Sequence, residues 1–172
     1  MPVRSGGSET AAPMATGAEV VLVLPYPISA NRYWGERMVP AAKGRPGFVQ
    51  RYITPEARAY REQVAASARA AGVLQPFPGR VFVGLQLYPH RPQDWATRMR
   101  KLGEAWDDSV QCIDLDNARK VLLDALNGVA FVDDGRIWRD AGERMEPDGQ
   151  ARVVVTERPI APQARQMDLV SV

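Results

Sequence analysis

Apolar positions recur along this chain with two different periods, one suited to strands and one to helices. Residues 20–24 are a continuous apolar run closed by Pro25 and Pro27, the pattern of a buried strand. Over residues 80–88, Val81, Val83, Leu85 and Leu87 alternate with a second set, which is the two-residue period of another strand. Between them, Ala57, Tyr60, Val64, Ala68 and Ala71 follow helical spacing. Thr54 suits the N-cap of that helix, Pro55 its first position, and Gly72 its end. Downstream the pattern predicts a short strand at 111–115, a helix at 117–127, a turn at Asp133-Asp134-Gly135, a strand around Ile137 and a last strand at 152–156.

This order predicts an α/β fold of the α+β kind. It is a single small domain over residues 19–158, with a mixed β-sheet packed against two main helices. Residues 1–18 combine Gly, Ser, Ala and Pro without periodicity and read as a flexible tail, in which Met14 offers an internal start. Residues 159–172 read as a loose C-terminal tail, starting near Arg158. Residues 29–48 look loop-like. Residues 89–110, with Pro89, Pro92, Gly103 and many charges, look like a long mobile connection of the kind that is functional or disordered. No internal repeat is present.

Composition then narrows the chemistry. A chain of 172 residues with 45% apolar and 24% charged residues suits one globular domain. Cys112 is the sole cysteine, which excludes a disulfide framework and any multi-cysteine zinc site and fits a reducing compartment. With His90 the sole histidine, chemistry that needs two histidines is excluded, so any metal must be held by oxygen. No apolar run has the length of a membrane span, and the start lacks the apolar core of a secretory signal. The expected location is the cytoplasm.

The net charge is only +2, yet the charges are unevenly placed. Arg91, Arg98, Arg100 and Lys101 lie together, either as a solvated loop or as a phosphate-binding one. The acids gather at Asp107, Asp108, Asp114, Asp116, Asp124, Asp133 and Asp134. In a strand, Asp114 and Asp116 would share a face roughly 6.5 to 7 Å apart, and two such carboxylates repel unless a cation lies between them. Magnesium or manganese prefers this all-oxygen company. The same pair also fits an exposed strand end with solvated acids.

The surroundings favour the cation. Asp116 or Asn117 can cap the next helix, whose core face is Val121, Leu122, Ala125, Leu126 and Val129, with Gly128 at its end. A helix N-terminus attracts phosphate, and Lys120 in its first turn can reach the same place. Lys120 also has Asp124 four residues on as a surface partner. Asp133-Asp134 before Gly135 is an ordinary turn signature, but the turn follows Asp116 by one helix and one short connection, so the chain can bring a third carboxylate back to the first two. Three carboxylates and a lysine suit metal-assisted phosphodiester cleavage.

The run Asp114-Leu115-Asp116-Asn117-Ala118-Arg119-Lys120, then Asp124-Ala125-Leu126-Asn127-Gly128, then Asp133-Asp134, closely resembles the RusA family of Holliday junction resolvases, which are bacterial and prophage-encoded. Leu24-Pro25-Tyr26-Pro27 with Ser29, Asn31, Arg32 and Tyr33, and Thr54-Pro55-Glu56 with Ala59-Tyr60-Arg61, resemble the same family, from about Val20 to about Thr156. The resemblance implies that Asp114, Asp116 and Asp134 bind Mg²⁺, with Mn²⁺ as a substitute, and that Lys120 acts at the scissile phosphate. Asp133 matches no ligand position. It further implies a mixed α/β homodimer whose two active sites cut symmetric strands of a four-way DNA junction in recombination or repair, a two-fold enzyme for a two-fold substrate. Asn31, Arg32, Arg91, Arg98, Arg100 and Lys101 are the candidate DNA contacts. Two departures stand out: the unmatched N-terminal tail, and a longer connection between Pro89 and Asp114 carrying Trp95, Trp106 and Asp107-Asp108.

Two other readings stay open. A different Mg²⁺-dependent phosphate-transfer enzyme also uses Asp-x-Asp, but a phosphatase needs Thr or Ser soon after its nucleophilic Asp, where Asn117 and Lys120 stand here. A folded but inactive junction-binding protein of prophage origin is the non-enzymatic reading. Tyr33, Trp34 and Phe48 are candidates for stacking on unpaired bases, or for packing.

Overall fold

Val81, Val83, Leu85 and Leu87 do face one way, along strand β4 (Val81–Tyr88), and they form the centre of the core. In the computed structural model, which describes residues 19–162, β4 lies in a four-stranded sheet with β1 (Val20–Pro25), β6 (Arg152–Pro159) and β5 (Ile137–Arg144). The order is β1-β6-β4-β5. The first three strands pair antiparallel and β4 pairs parallel with β5, so the sheet is mixed. A parallel pair needs a long crossover. Here it holds α3 (Trp95–Leu102), a 3₁₀ turn (Gly103–Ser109) and α4 (Leu115–Leu126).

One face of the sheet is covered by α2 (Pro55–Ala70) and α4, the two main helices the periodicity predicts. Ala57, Tyr60, Val64 and Ala68 from α2 meet Leu22, Leu24, Val153 and Val155, while Ala118, Val121, Leu122, Ala125 and Leu126 close the core from α4. Each fully buried Leu or Val here contributes about 1.5–3 kcal/mol. Truncating Leu122, which is fully buried, to Ala would cost about 2–5 kcal/mol. Thr54 caps α2 as expected, accepting from the Ala57 amide at 3.1 Å, and Gly72 ends it at φ +91°.

Several expectations need correction. Residues 29–48 are not a loop: they contain α1 (Ala30–Tyr33) and β2 (Trp34–Val39), and β2 pairs antiparallel with β3 (Phe48–Ile53) in a separate two-stranded sheet. Both faces of that ribbon meet solvent, so no alternation of apolar and polar residues betrays it. Residues 89–110 are not an unstructured connection either. Trp95, Met99 and Leu102 recur at helical spacing in α3, and the following turn buries Trp106, whose indole donates to Glu146 Oε1 at 2.8 Å. Arg144 on β5 donates to the carbonyls of Asp107 and Val110 and ties the segment down.

Residues 111–115 form no strand. The Ile113 amide donates to the Tyr26 hydroxyl at 3.2 Å instead of joining a ladder, and α4 starts at Leu115, two residues early. Strand β6 runs on to Pro159, and the Ile160 amide donates to the Arg80 carbonyl at 2.7 Å, so the chain is not loose at Arg158. The predicted tails at 1–18 and beyond residue 162 lie outside the described residues. No helix among the described residues is long and apolar enough to cross a membrane.

Candidate active site

Asp114, not Asp116 or Asn117, caps α4. Its extended backbone turns into the helix, Oδ1 accepts from the Asn117 amide at 2.7 Å and Oδ2 accepts from the Asn117 side chain at 2.7 Å. Asp116 therefore stands on the first helical turn, and both residues belong to a helix N-terminus rather than to a strand face. The positive end of the helix dipole lies under both.

Asp116 is charge-compensated. Lys120 Nζ lies 2.6 Å from Oδ2, and Arg119 Nη2 lies 3.3 Å from Oδ1. The hydrogen bond from Lys120, aided by Arg119, holds its carboxyl below the usual carboxylate range. Lys120 pairs back to Asp116 rather than forward to Asp124. Asp124 instead accepts from the buried Tyr33 hydroxyl and has Arg61 3.7 Å away. Arg119 also reaches Asp140 on β5 at 2.7 Å, and that contact raises its affinity for its proton. Arg119 belongs to the run that carries the family resemblance but was given no role there, and Asp140 carried no signal in the sequence.

Asp114 and Asn117 face an open cleft of about 660 Å³ shared with Tyr26, Ser29, Arg32 and His90. Tyr26 and His90 pack with ring centroids 5.0 Å apart, and burial pushes the Tyr26 hydroxyl's pKa up. Neither was a candidate in the sequence: Tyr26 entered only as part of the Leu24-Pro25-Tyr26-Pro27 resemblance, and a lone His carries no spacing signal. Arg32 pairs with Glu56 at 2.6 Å and Asn31 is exposed beside it.

Asp134 lies elsewhere. It opens the 3₁₀ turn Asp134–Arg136, and its Oδ1 accepts from the Asn127 side chain at 3.1 Å. Asn127 is the C-cap of α4, so Asp134 sits at the opposite end of a twelve-residue helix, about 18 Å long, from Asp114. The chain returns from α4 to its end and not to its beginning. Among the described residues, no three His, Cys, Asp or Glu side chains gather closely enough to hold a metal ion. Asp133 is a turn-former, its Oδ1 accepting from the Gly135 amide at 2.8 Å.

The basic residues of 91–101 are dispersed. Arg98 is occupied structurally, with Nε on Asp94 at 2.8 Å and Nη1 on the Ser109 carbonyl at 2.8 Å. Arg91 stacks on Trp95, its guanidinium carbon 4.7 Å from the ring centroid, and Arg100 reaches Thr97. Lys101 is exposed at the end of α3. Arg91 and Arg98 line a second cleft that shares His90 with the first, so basic groups continue the surface beside Asp114.

No curated protein matches the chain. The family model described as Endodeoxyribonuclease RusA matches residues 25–156, which run from the last residue of β1 into β6 and include Asp114, Asp116, Lys120 and Asp134. The match covers most of the chain, and the chain therefore belongs to the RusA family of DNA junction endonucleases.

Proposed function

We propose that the protein hydrolyses phosphodiesters at four-way and other branched DNA as a homodimer. Each of its two sites takes Asp114, Asp116 and Lys120 from one copy and Asp134 from the other, with Mg²⁺, or Mn²⁺ in its stead, as the cation. The observation that carries this reading is the placement of Asp114 and Asp116 on the first turn of α4, with Lys120 against Asp116 and Asp114 lining an open cleft. An open cleft suits an extended polymer rather than a small phosphate ester.

The second copy follows from β5. It is the outer strand of the sheet, eight residues long and exposed over nearly its whole length, and such an edge offers its backbone to another chain. Leu115 packs near Gly142 at the far end of β5, while Asp134 immediately precedes its start. A two-fold axis that pairs β5 antiparallel with its copy would bring Asp134 of one chain toward the α4 N-terminus of the other.

The donor set is carboxylate only, which suits a hard divalent cation. Such an ion supplies positive charge at the phosphate and at the attacking water. Asp114, which lines the cleft, and Asp116, one helical turn into α4, would hold it at the positive end of the helix dipole. Lys120, whose ammonium already lies beside Asp116, would stabilise charge that develops on the phosphate oxygens. Unpaired Cys112 and a DNA substrate both suit the cytoplasm.

The test is cleavage of a labelled four-way junction against matched duplex, in Mg²⁺ and in EDTA, by the wild type and by Asp116→Asn. Paired nicks on the junction alone, lost in EDTA and in the variant, are the expected result. A wild type that binds junctions without ever cutting them would leave a binding protein instead.

A further inference from the structure

We propose that the β2–β3 hairpin is a DNA-contacting arm that enters the branch point and offers aromatic side chains to its unstacked bases. The proposal rests on the reading of the protein as a branched-DNA endonuclease and adds to it a part of the chain that the catalytic carboxylates do not use.

The hairpin stands apart from the core. Among the described residues its strands pair with each other and with no third strand, and a two-stranded ribbon in water is marginal by itself. It nevertheless exposes Met38, Phe48, Val49 and Tyr52 by 68, 57, 57 and 41%, a share of apolar surface that points to a partner. Its root is fixed, with Trp34 and Ile53 packed against the core. The Thr54 amide donates to the Tyr33 carbonyl and the Thr54 hydroxyl to the Arg32 carbonyl, and the Tyr33 ring beneath is fully buried. Tyr33 is thus the anchor, not one of the stacking residues.

Charge identifies the partner. Between Trp34 and Ile53 the ribbon carries Arg37, Lys43, Arg45 and Arg51 against Glu36 alone. Two such arms would repel each other, whereas a polyanion would be drawn to either. The guanidinium groups are already set beside rings, Arg51 4.9 Å from the Trp34 centroid and Arg37 5.9 Å from that of Tyr52, with Gln50 Oε1 fixing Arg37 at 2.9 and 2.8 Å. Flat cations held against aromatic faces are the components from which single-stranded nucleic acid platforms are made.

The tip has the same character. Ala42 and Arg45 close a two-residue turn with Lys43 at φ +45° and Gly44 at φ +78°. A left-handed lysine costs about 1 kcal/mol where Asn or Gly would cost less, so local stability does not account for it. It does place an ammonium at the farthest point of the arm. Because Arg32, two residues before β2, lines the cleft of Asp114, the arm rises from the rim of the candidate active site.

The experiment measures full-length protein on a four-way junction carrying 2-aminopurine at the branch, in EDTA so that no cutting occurs. The wild type is compared with Lys43→Gln/Arg45→Gln and with Phe48→Ser/Tyr52→Ser, with melting temperature and oligomeric state recorded for each. The basic double variant is expected to lose about 3- to 10-fold in affinity and to flatten the salt dependence by about two counterions. The aromatic double variant is expected to keep that salt dependence while losing most of the 2-aminopurine signal. Folded variants that match the wild type in affinity, salt slope and fluorescence overturn the arm while leaving the nuclease reading intact, as does a switch to monomers, which would make the ribbon a subunit contact. A wild type that ignores the junction overturns both.

Discussion

Lys120 holds its ammonium 2.6 Å from Oδ2 of Asp116, one helical turn behind it, so the cation nearest the candidate metal ligand is the protein's own. A divalent ion and this ammonium compete for one carboxylate. Lys120→Met is therefore expected to lower junction cleavage about 100-fold while leaving Mn²⁺ binding, measured by calorimetry or electron paramagnetic resonance, as tight as before or tighter. Asp116→Asn is expected to lose both. Weaker Mn²⁺ binding in Lys120→Met would show that the lysine supports the ion rather than yielding to it.

A second cross-element contact joins the root of the hairpin to α4, the helix of the candidate site. The Tyr33 hydroxyl donates to Asp124 on α4, and burial together with that carboxylate pushes its pKa far up. Tyr33→Phe removes the donor but leaves the ring in place. The expected cost is about 1–2 kcal/mol, or a melting point lower by about 3–6 °C, because the stranded carboxylate is partly solvated and keeps Arg61 nearby. An unchanged melting point would mean that water replaces the hydroxyl without loss.

The parts of the fold that were legible in the sequence are those where one face is buried and the other is not. Strand β4 alternates because α2 and α4 cover one side, and α2 carries both its N-cap and its stop in Thr54, Pro55 and Gly72. The hairpin was illegible for the opposite reason: Met38, Phe48 and Val49 sit beside Arg37 and Arg51 with solvent on both faces, so no period forms. In α3 the apolar spacing of Trp95, Met99 and Leu102 was present but lost among the charges around it. At the site, Asp114-Leu115-Asp116 offered two apparent strand faces over a distance too short to distinguish alternation from a cap. Which end of α4 receives Asp134 depends on how β5 docks beside β4, a relationship between distant segments that no local pattern encodes.

Glu157 gives the fold a pH dependence. It is fully buried on the core face of β6 and neither carboxylate oxygen has a partner among the described residues, so desolvation raises its pKa from 4.5 to about 7. The folded state thus binds this proton more tightly than the unfolded chain. Its contribution is fully present below pH about 4.5 and is lost as pH rises through about 7, with a total change on the order of 3 kcal/mol. Glu157→Gln is expected to leave denaturant midpoints alike at pH 4.5 and to raise the midpoint at pH 8. A variant no more stable than wild type at pH 8 would mean that the ionised carboxylate reaches water there.

Separation of Asp134 from Asp114 by the length of α4 makes a prediction that distinguishes a shared site from a site within one chain. Asp114→Asn and Asp134→Asn should each abolish cleavage alone. Mixed and refolded together, half the dimers pair one variant with the other. If each site draws Asp134 from the partner, one site of such a dimer combines the two damaged residues and the other combines two intact ones. The mixture should then nick junctions at about a quarter of the wild-type rate, leaving one strand cut rather than a symmetric pair. If all three carboxylates came from one chain, every site in the mixture would lack a ligand and no nicks would appear. Recovery of single nicks therefore requires Asp134 to act across the two-fold axis, as the proposed antiparallel pairing of β5 with its copy would have it.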